Sequence, residues 1–284
     1  MQQFQEPLRQ IMNWLPVLLE SAGITIGLTI ASVTTALVMA VFLALGKIAA
    51  VHRHPNARLR RVLHAMQITA GAVLLAALLL LLWKNMLPFR LAALASGIAL
   101  FVLLMLDELT RVWIVRALSS AYIFFFRGTP LLLQLFFLYY GLTYIHPSLN
   151  LSNRFAAAWI AFSLNIAAYM AEIIRAAVQS IPKGQMEASH AVGLSYGQTM
   201  RMIIIPQAYR RMIPPICNEF VMVLKDTSLV SIISLADLSY KSTMISTSSA
   251  TTLVYAPAMV LYLLMTAMFT IVFNRLEKRL SAHE

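Results

Sequence analysis

The chain has 284 residues, of which 60% are hydrophobic and only 12% charged, with a formal net charge of +11 at pH 7. That excess is not the footprint of a nucleic-acid binder, because 16 of the 22 lysines and arginines fall in four clusters set between apolar runs. The single cysteine, Cys217, excludes an intramolecular disulfide and is read as a small packing residue in an apolar stretch.

Residues 1–20 carry Glu6 and Glu20 and no small-residue cleavage pattern. They are expected to form an amphipathic segment at the membrane surface, not a removable signal. Beyond them, 21–46, 65–83, 128–153, 155–171 and 242–274 contain no charged residue. A bilayer core about 30 Å thick needs roughly 20 helical residues, and these runs lack the polar face that a large soluble core would leave at helical period. The fold class is therefore all-α: a polytopic membrane protein of about seven transmembrane helices. In chain order the spans are expected near 21–46, 63–83, 91–106, 117–144, 155–175, 212–234 and 252–273. The basic stretches at 47–61, 111–127, 175–211 and 275–279 fall between or after them. Basic loops face the cytoplasm, which puts the N-terminus outside and the C-terminus inside.

No phosphate-cradling G-x-x-x-x-G-K-[ST] loop is present. The six histidines, His52, His54, His64, His146, His190 and His283, form no cluster with metal-ligand spacing. An enzyme is therefore not expected, nor a metal site or a cofactor of the chain's own.

One stretch stands apart: "EASHAVGLSYGQTMRMIIIPQ" at 187–207 is polar and rich in small residues. Pro182-Lys183-Gly184 breaks the preceding helix. A short helix follows over 185–192, with Glu187 in its first turn, and Gly193 suits its C-terminal end. Ser195 and Gln198 have the S-x-x-Q spacing of a capping box, opening a second short helix. Pro206 is expected to close it, and Pro214-Pro215 to open the next span.

The series Glu187-Ala188, Gly193 and Ile203-Ile204-Ile205-Pro206 resembles the E-A-A-x3-G-x9-I-x-L-P signature of ABC importer permeases, with Ser189 and Ile205 replacing the commoner Ala and Leu. "FFFRGTPLLLQLFF" at 124–137, "NIAAYMAEIIRAAVQSIPKGQ" at 165–185 and "VLKDTSLVSIISLADL" at 223–238 are similar to the polar amino-acid uptake group, the histidine/glutamine/arginine-type permeases. The resemblance covers about 20–50 and 115–280. That group usually carries five spans, so 62–110 reads as an inserted helix pair within a permease domain covering 21–284. Being even in number, the insertion leaves the downstream orientation unchanged.

The resemblance implies a bacterial inner-membrane subunit that pairs with a second permease of the same or a sister chain. A cytoplasmic ABC ATPase dimer binds ATP and Mg below it, and an extracytoplasmic solute-binding protein delivers the solute. It also implies that the helices at 185–206 dock on the ATPase, with Glu187, Ala188, Gly193 and Pro206 as the coupling residues. Lipid is the remaining partner, and no nucleic acid is expected.

Asn165, Tyr169 and Glu172 recur at i, i+4 and i+7 and share one helical face. That face either lines a substrate path or belongs to an interhelical network, and Glu172 has Arg175 within one turn. Arg127-Gly128-Thr129-Pro130 offers a glycine/proline break, so Gly128 and Thr129 are candidates for the same path. The alternative is an ion-coupled secondary transporter or channel subunit, with Glu172 relaying protons.

Overall fold

The computed structural model describes residues 2–49, 108–147 and 151–281. Most of the expected inserted pair, 62–107, lies outside the described residues. Two compact units are present, one of Met1–Ala44 with Tyr122–Glu284 and the other of Leu45–Ala121.

Every regular element among the described residues is helical. Helix α1, Gln2–Ala49, runs unbroken through Pro7 and Pro16. At 1.5 Å per residue its 48 residues extend about 70 Å, more than twice a bilayer core. Residues 2–20 are thus continuous with the first span. Its buried positions, Leu18, Ala22, Thr25, Leu28, Ser32, Ala36 and Ala40, recur every three or four residues and are mostly small. A stripe of this kind lets neighbouring helices approach closely in an apolar medium. The Ser21, Thr25 and Thr29 hydroxyls donate back to the carbonyls of Leu18, Ser21 and Thr25 at 2.9, 3.3 and 2.8 Å. No water is needed to satisfy them.

Helix α2, Glu108–Gly128, ends at Thr129-Pro130, and helix α3, Leu131–Phe136, starts directly after. A π turn over Phe137–Gly141 and helix α4, Leu142–Ile145, complete this segment. The axis bends by 103° between 114–128 and 131–145. The expected single span over 117–144 is therefore corrected to a broken one. Proline removes an amide donor and disfavours helical geometry in the residue before it, so Thr129 leaves the helix.

Helix α5, Arg154–Gln179, is capped by Asn153, whose side chain accepts from the Ala156 amide at 3.1 Å. It is the central element: 67% of its apolar window is buried, against 11% for the last helix. Alanines at 157, 158, 161, 167, 168 and 171 make that burial possible without pushing neighbours away. Trp159 Nε1 donates to Ala31 O and Thr35 Oγ1 of α1 at 3.2 and 3.1 Å, and Tyr122 Oη of α2 donates to Leu164 O at 2.7 Å. Helix α5 also packs on α3.

Helices α6, Lys183–Ala191, and α7, Tyr196–Thr199, follow, then a π turn, Met200–Ile204, and helix α8, Ile205–Asp226. Two expectations are corrected here. Pro206 does not end a helix but sits in the first turn of α8, and Pro214-Pro215 lie inside α8 instead of opening it. The π turn before Pro206 widens the coil where proline has no N–H to give. Gln207 Nε2 donates to Ile203 O at 3.0 Å within that widened stretch. A 3-10 turn over Thr227–Ile233 leads to helix α9, Leu238–Ser248, capped by Asp237, and finally to helix α10, Tyr255–Ser281. Phe220 of α8 meets Phe269 and Phe273 of α10 at centroid distances of 4.7 and 5.2 Å.

By length and composition α1, α5 and α10 can each cross a membrane, and the bent α2–α4 pair makes four candidate spans among the described residues. Helix α8, which holds most of the expected span 212–234, carries Arg210, Arg211, Glu219, Lys225 and Asp226 and falls outside that count.

Candidate functional site

Two places collect the chemistry, and α5 joins them. The first is the turn between α6 and α7. Glu187, Ala188, Val192 and Gly193 are exposed there, Val192 by 77%. The turn is held from below and from within. Met186 packs on a cluster of Ala177, Ile181, Ile204 and Ala208, which fixes α6 against the end of α5 and the start of α8. Ser189 is buried and donates to Gln185 O at 2.5 Å.

Gly193 takes φ +84°, a left-handed conformation that an L side chain adopts only with strain. It terminates α6 through Gly193 N to His190 O at 3.0 Å and Leu194 N to Ser189 O at 3.0 Å. These are the backward bonds expected of a glycine-terminated helix. The capping box is complete: the Gln198 amide donates to Ser195 Oγ at 3.4 Å, and the Ser195 amide donates to Gln198 Oε1 at 2.9 Å. Partial burial pushes the pKa of the Tyr196 phenol above its ordinary value. The result is a rigid, outward-facing surface with small residues and one carboxylate. Pro206 is exposed one turn beyond it, at the head of α8.

The second place is the bend after α2. Gly128 is exposed and Thr129 half-buried, its hydroxyl donating to Phe125 O at 2.8 Å. Asn165 of α5 is buried, and its Nδ2 donates to Phe126 O at 2.9 Å and to Gln134 Oε1 at 3.0 Å. Gln134 Nε2 lies 3.1 Å from Phe126 O, 3.0 Å from Thr129 O and 2.7 Å from Thr129 Oγ1. Asn165 is therefore committed to the bend. Tyr169, half-buried on the same face, stacks under the Arg127 guanidinium at 5.3 Å from its ring centroid. Glu172, one turn further, pairs with Arg175. Of the three residues, Asn165 and Tyr169 engage α2, while Glu172 pairs within α5.

Gln134 did not stand out in the sequence. Its signal was available, since it is the one polar side chain in the apolar run after a proline, where freed carbonyls need donors.

The family described as "Binding-protein-dependent transport system inner membrane component" matches residues 104–282. The chain belongs to this family, the ABC importer permeases. It is an integral inner-membrane, multi-pass permease subunit and not itself an ATPase, which sets aside the ion-coupled alternative. The L-cystine transport system permease protein TcyB of Bacillus subtilis (strain 168) is 36% identical over 69% of this chain and 83% of its own length. The glutamine transport system permease protein GlnP of Escherichia coli (strain K12) is 36% identical over 66% of this chain and 85% of its own length. Among solved structures, an amino acid ABC transporter crystallised with histidines aligns at a TM-score of 0.69 and 26% identity, covering 95% of this chain and 97% of that one. The MetNI methionine ABC transporter shares the fold at a TM-score of 0.62 and 14% identity, covering 94% and 98%.

Proposed function

We propose that this chain forms half of the translocation path of an ATP-driven importer of polar amino acids. It has about seven spans, counting the pair at 62–110, with its N-terminus outside and its C-terminus inside. The observation that carries the reading is the α6–Gly193–α7 turn, whose exposed small residues and single carboxylate, Glu187, suit close docking of a second protein. Arg175, Lys183, Arg201, Arg210 and Arg211 cluster around this segment, as a cytoplasmic loop requires. Relatives named for cystine and glutamine transport support the substrate class.

In this mechanism two permease subunits enclose the path and an ATPase dimer seats beneath α6. Ala188 and Gly193 permit close approach, and Glu187 makes a charge-assisted contact, one of the stronger hydrogen bonds. Pro206 fixes the start of α8 behind that surface. Closure of the ATPase dimer then moves α6, and with it α5. A solute-binding protein selects the amino acid outside, and ATP with its Mg remains on the ATPase.

The test is co-expression with a candidate ATPase and binding protein. Expected are a stable complex, vanadate-sensitive amino-acid uptake, and loss of transport-coupled hydrolysis in Glu187→Lys or Gly193→Arg with membrane insertion intact. If ATPase co-purification and substrate-stimulated hydrolysis both survive in these variants, the docking assignment is wrong.

A further inference from the structure

The carbonyls of Phe126 and Thr129 are among those that the break at Thr129-Pro130 frees from helical bonding. Phe126 O would take the amide of residue 130, and proline has none. Thr129 O would take the Leu133 amide, which instead bonds Pro130 O at 3.0 Å. In a bilayer such groups must find partners inside the protein. They find side chains: Asn165 and Gln134 both reach Phe126 O, and Gln134 also reaches Thr129 O. Asn165 closes the network by donating to Gln134 Oε1 at 3.0 Å. Three helices, α2, α3 and α5, are tied by two amides at one point.

That point is mechanically connected to the other end of α5. From Asn165 the helix runs about 20 Å to Gln179. There Arg211 of α8 donates to Ser180 O and Ser180 Oγ at 2.7 and 3.1 Å, and α6 begins at Lys183. A displacement of α6 acts on the C-terminal end of α5, and the amide pair is where α5 grips the broken span.

We propose that the Gln134–Asn165 amide pair is a latch that positions the bend of the translocation path and carries the displacement of α5 to it. Both are positioning residues of the transport cycle. The inference rests on the importer reading above. It assigns Asn165 to the moving parts of the path and adds Gln134.

The experiment uses the whole complex, in cells for uptake of a mixed pool of radiolabelled protein amino acids, and purified for ATP hydrolysis. Gln134→Leu and Asn165→Leu are each expected to keep ATP hydrolysis while uptake per ATP hydrolysed falls about tenfold, the worth of one orphaned carbonyl. The double variant is expected to be worse than either single, because only there do both Phe126 O and Thr129 O lose their side-chain donors. Pro130→Ala/Gln134→Leu separates support from positioning, since without the proline the Leu133 amide can return to Thr129 O, the backbone carbonyl that loses Gln134. Uptake per ATP hydrolysed is expected to stay low there. Wild-type coupling in the single variants overturns the latch, as does recovery of uptake in Pro130→Ala/Gln134→Leu. Absence of ATP-dependent uptake by the wild-type complex would instead overturn the importer reading, whatever the variants do.

Discussion

The guanidinium of Arg127, the last basic residue before the bend, sits 5.3 Å from the ring centroid of Tyr169 on the central helix. The pair places a cation directly beside the broken span while binding it to the element that organises the bundle. Contacts of this kind contribute about 0.5–1 kcal/mol when partly solvated. Tyr169→Phe keeps the ring and is expected to leave stability unchanged. Tyr169→Leu is expected to lower the melting temperature of the detergent-solubilised complex by about 2 °C. A phenol-specific role would show itself as a matching loss in Tyr169→Phe.

At Gly193 nothing lies within 4 Å of the position a Cβ would take, so a substitution there meets no neighbour. Its cost comes from the φ of +84° alone. Gly193→Ala is expected to destabilise by about 1–2 kcal/mol, and Gly193→Asn by clearly less, since asparagine tolerates the left-handed region. Thermal unfolding of the two variants, compared side by side, tests this order.

The capping box at Ser195 gives a local prediction. Ser195→Ala is expected to cost about 1 kcal/mol and to speed hydrogen exchange at the amides of 196–199. Gln198→Ala should do nearly the same, and the two together should fall short of their sum, because they remove one reciprocal motif. Additive effects would mean that the two side chains act separately.

Within the unit of Leu45–Ala121, a Cβ on Gly46 would meet Ser119 Oγ at 2.6 Å and Val115 Cγ1 at 2.8 Å. Helices α1 and α2 approach there only because glycine leaves room. Gly46→Ala is expected to cost about 1–3 kcal/mol through overpacking. Ser119→Ala in the same chain should relieve part of it, which thermal unfolding of the double variant measures.

Sequence patterning anticipated the helical class, the long apolar helices α1, α5 and α10, the glycine turn and the capping box. Each of these is a local rule: a charge-free run, a left-handed φ, an S-x-x-Q spacing. The misreadings came from prolines. Pro206 and Pro214-Pro215 read locally as boundaries because proline lacks a donor, yet a π turn and the surrounding packing carry the helix through them. Pro130 was recognised as a break, but a 103° change of direction depends on what receives the freed carbonyls. That receiver is assembled from Gln134 and Asn165, 31 residues apart, and no local pattern links them. The charges of α8 likewise obscured an element whose length and packing only tertiary contacts reveal.

The amides at the bend have one more effect. Backbone broken inside a membrane protein is usually hydrated, and so is confined to places that water can reach. Here the donors for Phe126 O and Thr129 O travel with the protein, so these two carbonyls draw nothing from their surroundings. The bonds that hold the bend at these two carbonyls therefore do not depend on bilayer thickness or headgroup chemistry.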